Sequence, residues 1–75
     1  MSSATIRWQR KAVQELAVLP RETQRRVLGE VDRLRHDPLK GEQLAAEWQG
    51  IRRLRVGPHR IVYAFNGSQL LILMA

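Results

Sequence analysis

Residues 53–63, Arg53-Leu54-Arg55-Val56-Gly57-Pro58-His59-Arg60-Ile61-Val62-Tyr63, decide how this chain folds. Two runs rich in β-branched and apolar residues flank Gly57-Pro58, and side chains along a strand alternate between faces. Glycine supplies the positive φ of a two-residue type II′ turn, and proline tolerates the position after it. With that loop, Val56 faces His59, Arg55 faces Arg60, Leu54 faces Ile61 and Arg53 faces Val62. A slip of one residue would exchange the faces throughout, so loop length decides the register. Leu54, Val56, Ile61 and Tyr63 then share a core face, while Arg53, Arg55, Arg60 and Val62 share the opposite face.

Working toward the C-terminus, Asn66-Gly67 between apolar runs is a strong hairpin signal. It predicts strands over Ile51–Val56, His59–Phe65 and Gln69–Met74, with Ile61 facing Ile72 and Arg60 facing Leu73. Leu70, Ile72 and Met74 join the core face, and Leu71 and Leu73 join the arginine face. A strand that is apolar on both sides is expected in the middle of a sheet or under cover.

Working toward the N-terminus, Leu39–Gln49 reads as a loop anchored by Leu44 and Trp48. Before it, Val27, Leu28, Val31 and Leu34 recur at helical spacing, predicting a helix over Arg21–His36 that Asp37-Pro38 stops. Gly29 inside it costs about 1 kcal/mol relative to alanine. Ala12, Val13, Leu16, Ala17 and Leu19 make an apolar face on a first helix, Gln9–Leu19, which Pro20 breaks. Thr5–Trp8 is a short β-prone segment. The expected class is α+β: an N-terminal strand, an αα-hairpin, then a three-stranded antiparallel sheet, all in one domain over residues 1–75.

Composition narrows the function. Thirteen Lys and Arg against seven Asp and Glu give a formal net charge of +6, which favours a polyanionic partner. With no cysteine, disulfides, thiol chemistry and cysteine-ligated zinc are excluded, and two isolated histidines make a poor metal site. No cofactor is expected. No apolar run approaches the roughly 18–20 residues that span a bilayer, and Met1-Ser2-Ser3-Ala4-Thr5 lacks signal-peptide character, so a cytoplasmic domain is expected.

Arg55 opposite Arg60 is a like-charge pair, which weakens a sheet, and residues 51–75 hold no Asp or Glu to relieve it. Uncompensated local conflict tends to mark a functional site, and the arginine fork matches phosphate or carboxylate. Arginine stays protonated and is a poor general base. The remaining titratable candidates are His59, whose alternation turns it away from Arg60, His36 at a helix end, where it complements the helix dipole, and Tyr63, which reads as core. Lys11 and Lys40 lie outside the hairpin. Trp8 and Trp48 are candidates for stacking bases or for sealing the core edge. The arginines of the second helix, interleaved with Glu22, Glu30 and Asp32, read as a solvated face that is also able to guide a nucleic acid or an acidic partner.

The stretch 53–63 closely resembles the central hairpin of RelE/ParE-family toxins, which runs roughly R-L-R-x-G-x-x-R-[IV]-[IV]-Y. Leu16 to Leu19-Pro20, Leu34 to Asp37-Pro38, and Leu44 before the hairpin agree with it. The resemblance implies the toxin of a type II toxin–antitoxin pair, bound to a cognate antitoxin as a hetero-oligomer. RelE-like members cut mRNA in the ribosomal A site, and ParE-like members inhibit DNA gyrase. Arg53 and Arg60 fall where the RNase branch carries basic catalytic residues that bind the scissile phosphate, with Arg55 a further anion-binding candidate. That branch continues through a Gly-x-Arg-like segment to a terminal tyrosine or histidine. Its C-terminal arginine and tyrosine have no counterpart in a sequence ending Leu73-Met74-Ala75. The leading expectation is a ribosome-dependent mRNA endonuclease. The alternatives are a gyrase inhibitor and a non-catalytic antitoxin-binding or corepressor module.

Overall fold

The apolar positions at helical spacing and the alternating strands converge on one core. The structure, a computed structural model, describes residues 4–44 and 50–74. Its order is β1 (Thr5–Trp8), α1 (Arg10–Ala17), α2 (Arg21–Leu34), β2 (Glu42–Gln43), β3 (Ile51–Val56), β4 (His59–Phe65) and β5 (Gln69–Met74). All the strands lie in one sheet in the order β1-β5-β4-β3-β2. Ala12 of α1 and Val27, Val31 and Leu34 of α2 are buried against Val56, Ile61, Tyr63, Leu70 and Ile72 of the sheet. Each fully buried aliphatic side chain contributes about 1.5–3 kcal/mol of transfer free energy. The helices therefore cover one face of the sheet, and the other is left to the arginines.

The helices are shorter than their periodicity predicts, for local reasons. Proline disfavours helix in the residue before it, so α1 ends at Ala17 and Leu19 N–H closes on the Leu16 carbonyl. The Gln24 side chain reaches back from α2 to donate to the carbonyls of Ala17 and Leu19, at 3.3 and 2.9 Å. After Leu34 the chain tightens into bonds three residues apart, Arg35 to Asp32 and His36 to Arg33. Val13 and Leu28, expected in the core, remain 49% and 47% exposed on the helices' outer sides. Leu44 is half-buried, with its N–H on the Ile51 carbonyl, whereas Trp48 lies outside the described residues.

The sheet holds more strands than expected. β1 joins it in parallel with β5, pairing Ile6 with Leu70 and Trp8 with Ile72. Apolar on both faces, β5 is accordingly flanked by β1 and β4. β2, inside the stretch read as loop, pairs Glu42 with Arg53 and Gln43 with Arg52. Two polar residues carry no alternation, so only the partner strand reveals them.

The first hairpin has the predicted register, Val56 to His59 through Arg53 to Val62, with Gly57 at φ +61°. The second is offset. Asn66 is a flank of the turn and not its centre. Its side-chain oxygen accepts from the N–H groups of Ser68 (3.2 Å) and Gln69 (2.8 Å), and Gly67 takes φ +98°. Tyr63 therefore faces Ile72, in place of Ile61. An offset of two residues keeps every side chain on its face. Beyond it the ladder jumps to Val62 opposite Met74, leaving Leu73 as the extra residue of a bulge. The bulge turns Met74 out of the core, and it is 42% exposed.

Candidate anion site on the arginine face

Alternation along β3 and β4 fixes where the arginines point. Arg55 and Arg60 are direct partners, and Arg53 sits between Val62 on one side and Glu42 on the other. Arg55 and Arg60 are exposed, and Arg53 is half-buried. Arg55 Nε donates to the Gly57 carbonyl at 3.1 Å, which steadies its guanidinium at the turn. All three line one open concavity of about 350 Å³ together with Lys40, Glu42 and Leu54.

Lys40 and Glu42 are brought there by a clamp that sequence reading did not anticipate. Tyr63, fully buried, donates its O–H to the Pro38 carbonyl (2.8 Å) and accepts the Gly41 N–H (2.9 Å). Arg52 Nη1 donates to the Gly41 carbonyl at 2.7 Å. The loop before β2 is thus held at both ends of Gly41, and its neighbours Lys40 and Glu42 flank the arginines. Gly41 has to be glycine, because a Cβ would lie 2.5 Å from the Tyr63 oxygen and 2.8 Å from the Arg53 carbonyl oxygen. Burial raises the Tyr63 pKa above 10.0; the Gly41 N–H and Arg52 oppose that rise, and Asp37 adds to it.

The charges are unevenly matched. Glu42 Oε2 lies 3.6 Å from Arg53 Nη2, and Lys40 Nζ lies 3.4 Å from Glu30 Oε2. Among the described residues no ion pair engages Arg55 or Arg60. The expectation that the cluster lacks a local acid therefore needs correcting at Arg53, across the β2 pairing. Glu42 is 73% exposed in its side chain, so the partial neutralisation is weak.

The other sequence candidates fall elsewhere. His59 is half-buried on the helix-facing side, His36 is exposed after α2, and Tyr63 is core. Trp8 packs against the core, partly buried. Among the described residues no group of three or more His, Asp or Glu side chains is placed to hold a metal ion, and no helix is long and apolar enough to cross a membrane. Besides the arginines, the ionisable side chains that line the concavity are Lys40 and Glu42.

The family described as the ParE toxin of the type II toxin–antitoxin system parDE matches residues 6–75. The toxin–antitoxin complex RelBE2 from Mycobacterium tuberculosis contains a chain that superposes with a TM-score of 0.86 at 26% identity, covering 96% of this chain and 94% of that one. The archaeal RelE–RelB complex from Pyrococcus horikoshii contains one with a TM-score of 0.77 at 22% identity, covering 96% and 91%, which speaks for the fold. No curated protein matches. With the helical layer, the hairpin and all but the first few residues accounted for, the chain belongs to the ParE toxin family of type II toxin–antitoxin systems, within the wider RelE/ParE group.

Proposed function

We propose that this domain is a translation-blocking toxin that binds mRNA on the ribosome and cleaves it, with the arginine face holding the scissile phosphate. The observation that carries the reading is the meeting of Arg53, Arg55, Arg60, Lys40 and Glu42 around one concavity. Cleavage by the 2′-hydroxyl needs a base, an acid for the leaving oxygen, and cations where charge develops. The Glu42 carboxylate takes the 2′-hydroxyl proton as the O2′–P bond forms. Arg53, Arg55 and Arg60 stabilise the phosphorane, a preorganised electrostatic term that is often the largest in catalysis. The Lys40 ammonium gives its proton to the departing 5′-oxygen as the P–O5′ bond breaks, leaving a 2′,3′-cyclic phosphate. Arg53 and Arg60 are the residues on which this activity depends most. Primer extension on mRNA from translating ribosomes tests the proposal: discrete A-site cuts support it, and intact message at high toxin excess refutes it.

A second reading, inhibition of DNA gyrase, is favoured by the ParE description of the matching family. A binding toxin of that kind needs no acid or base. Loss of supercoiling with message left intact would select it.

A cognate antitoxin is the proposed partner in both readings, since the structures similar to this chain are toxin–antitoxin complexes. A helical, partly acidic segment suits the surface, which offers exposed Val13 and Leu28 on the helices, exposed Val18 in the turn between them, and Arg55 and Arg60 on the sheet, which no ion pair engages among the described residues. Co-purification with the product of the adjacent reading frame tests it.

A further inference from the structure

A second arginine cluster lies across the shoulder of the β3–β4 hairpin. Arg25, Arg26 and Arg33 of α2 face Arg55, Val56 and Gly57 across a cleft of about 380 Å³, with Gly29 and Glu30 also lining it. Arg55 lines both this cleft and the concavity on the sheet, so the two adjoin. The Arg26 guanidinium lies along the open side of Gly57, where a Cβ would meet its Nη1 at 3.5 Å and its Nη2 at 3.7 Å. Glu30 is already shared between Arg33 (3.1 Å) and Lys40 (3.4 Å). Among the described residues no ion pair engages Arg25, Arg26 or Arg55.

Gly29 is an independent observation. A glycine in mid-helix weakens the helix, and here no neighbour demands it, because a Cβ at this position meets nothing within 4 Å. Its effect is to leave one side of the cleft bare, beside a row of arginines. Val56, the apolar residue of the lining, is itself buried. An amphipathic protein helix would find little apolar surface there, whereas a phosphodiester chain needs only cations and room.

We infer that the cleft between α2 and the hairpin is a second phosphate subsite, so that one single-stranded nucleic acid runs from the sheet concavity past Arg55 and along α2 beside Gly29. This rests on the proposed reading of the concavity as an RNA site and extends it by several nucleotides. The residues that make it are Arg25, Arg26 and Arg55, with Gly29 providing clearance.

The test measures binding of a labelled single-stranded oligouridylate to the full chain over a range of salt. Gly29→Gln keeps every charge but fills the cleft, and should weaken binding about tenfold, the equivalent of ~1.4 kcal/mol. Gly29→Ala should bind as wild type, and melting curves confirm that both variants fold. Arg25→Ala with Arg26→Ala should flatten the plot of log K against log salt by about 1.4, at roughly 0.7 for each phosphate no longer neutralised. Unchanged affinity and slope in these variants, with weakening by Arg60→Ala, would overturn the second subsite and spare the first. No effect of Arg60→Ala either would remove the underlying reading. An acidic peptide such as oligoglutamate, bound as tightly as the RNA and equally sensitive to Gly29→Gln, would overturn the inference in favour of an acidic protein segment.

Discussion

Arg55 and Arg60 stand directly opposite each other across β3 and β4, two like charges that no ion pair among the described residues engages. A like-charged cross-strand pair destabilises a sheet by about 0.2–1 kcal/mol. Replacing Arg60 with threonine should therefore raise unfolding free energy by roughly that amount, as urea denaturation would record, while weakening RNA binding. Lower stability in that variant would mean the guanidinium is stabilising the sheet, not serving a ligand.

Glu42 tempers Arg53 from the neighbouring strand at 3.6 Å. If it also serves as base, Glu42→Gln separates the two roles. RNA affinity should rise about threefold, the scale of an exposed ion pair of ~0.5–1 kcal/mol. The cleavage rate on bound message should fall by about 10²-fold or more. A variant that both binds and cuts faster would leave Glu42 a purely electrostatic brake.

Tyr63 is the only tyrosine in the chain, so the tyrosinate absorption band reports on it alone. Burial raises its pKa, the folded state favouring the neutral phenol. That contribution to stability is complete below the unfolded value near 10 and is lost as pH rises through the higher folded value. A titration should show the phenol ionising only above pH 10.0 in the folded protein, and ionising at about 10 in urea. Tyr63→Phe should remove this pH dependence and cost about 1–3 kcal/mol, because Pro38 and Gly41 lose their partner.

Gly41→Ala would drive a methyl against both Tyr63 and the Arg53 carbonyl. The expected loss is about 1–3 kcal/mol of stability, read by thermal denaturation. Cleavage should fall further than stability explains, because Lys40 and Glu42 flank the displaced residue. Wild-type activity in a folded Gly41→Ala protein would show that the loop clamp does not serve the site.

Much of this architecture is legible in the sequence. Gly57-Pro58 fits a two-residue loop, and from that loop follow the β3–β4 register and the shared face of Arg53, Arg55 and Arg60. What stays hidden depends on contacts distant in sequence. Asn66 displaces its turn by accepting two backbone N–H groups, and the bulge at Leu73 turns Met74 outward, outcomes that a two-residue turn rule does not contain. Lys40 and Glu42 reach the arginines because Tyr63, twenty-two residues beyond Gly41, ties down their loop. Periodicity marks Val13 and Leu28 as apolar helix positions but does not show that the short α1 and the sheet leave them uncovered.

In the proposed cleavage the guanidinium of Arg60 acts on the phosphate being cut. Single-turnover cleavage of ribosome-bound mRNA, compared between wild type and Arg60→Ala, tests it most directly. The rate constant should drop by about 10²–10³-fold, the loss usual for one preorganised charge-stabilising group, with folding intact by circular dichroism. An unchanged rate constant in the variant, on message that the wild type cuts, would mean that Arg60 takes no part in the cut.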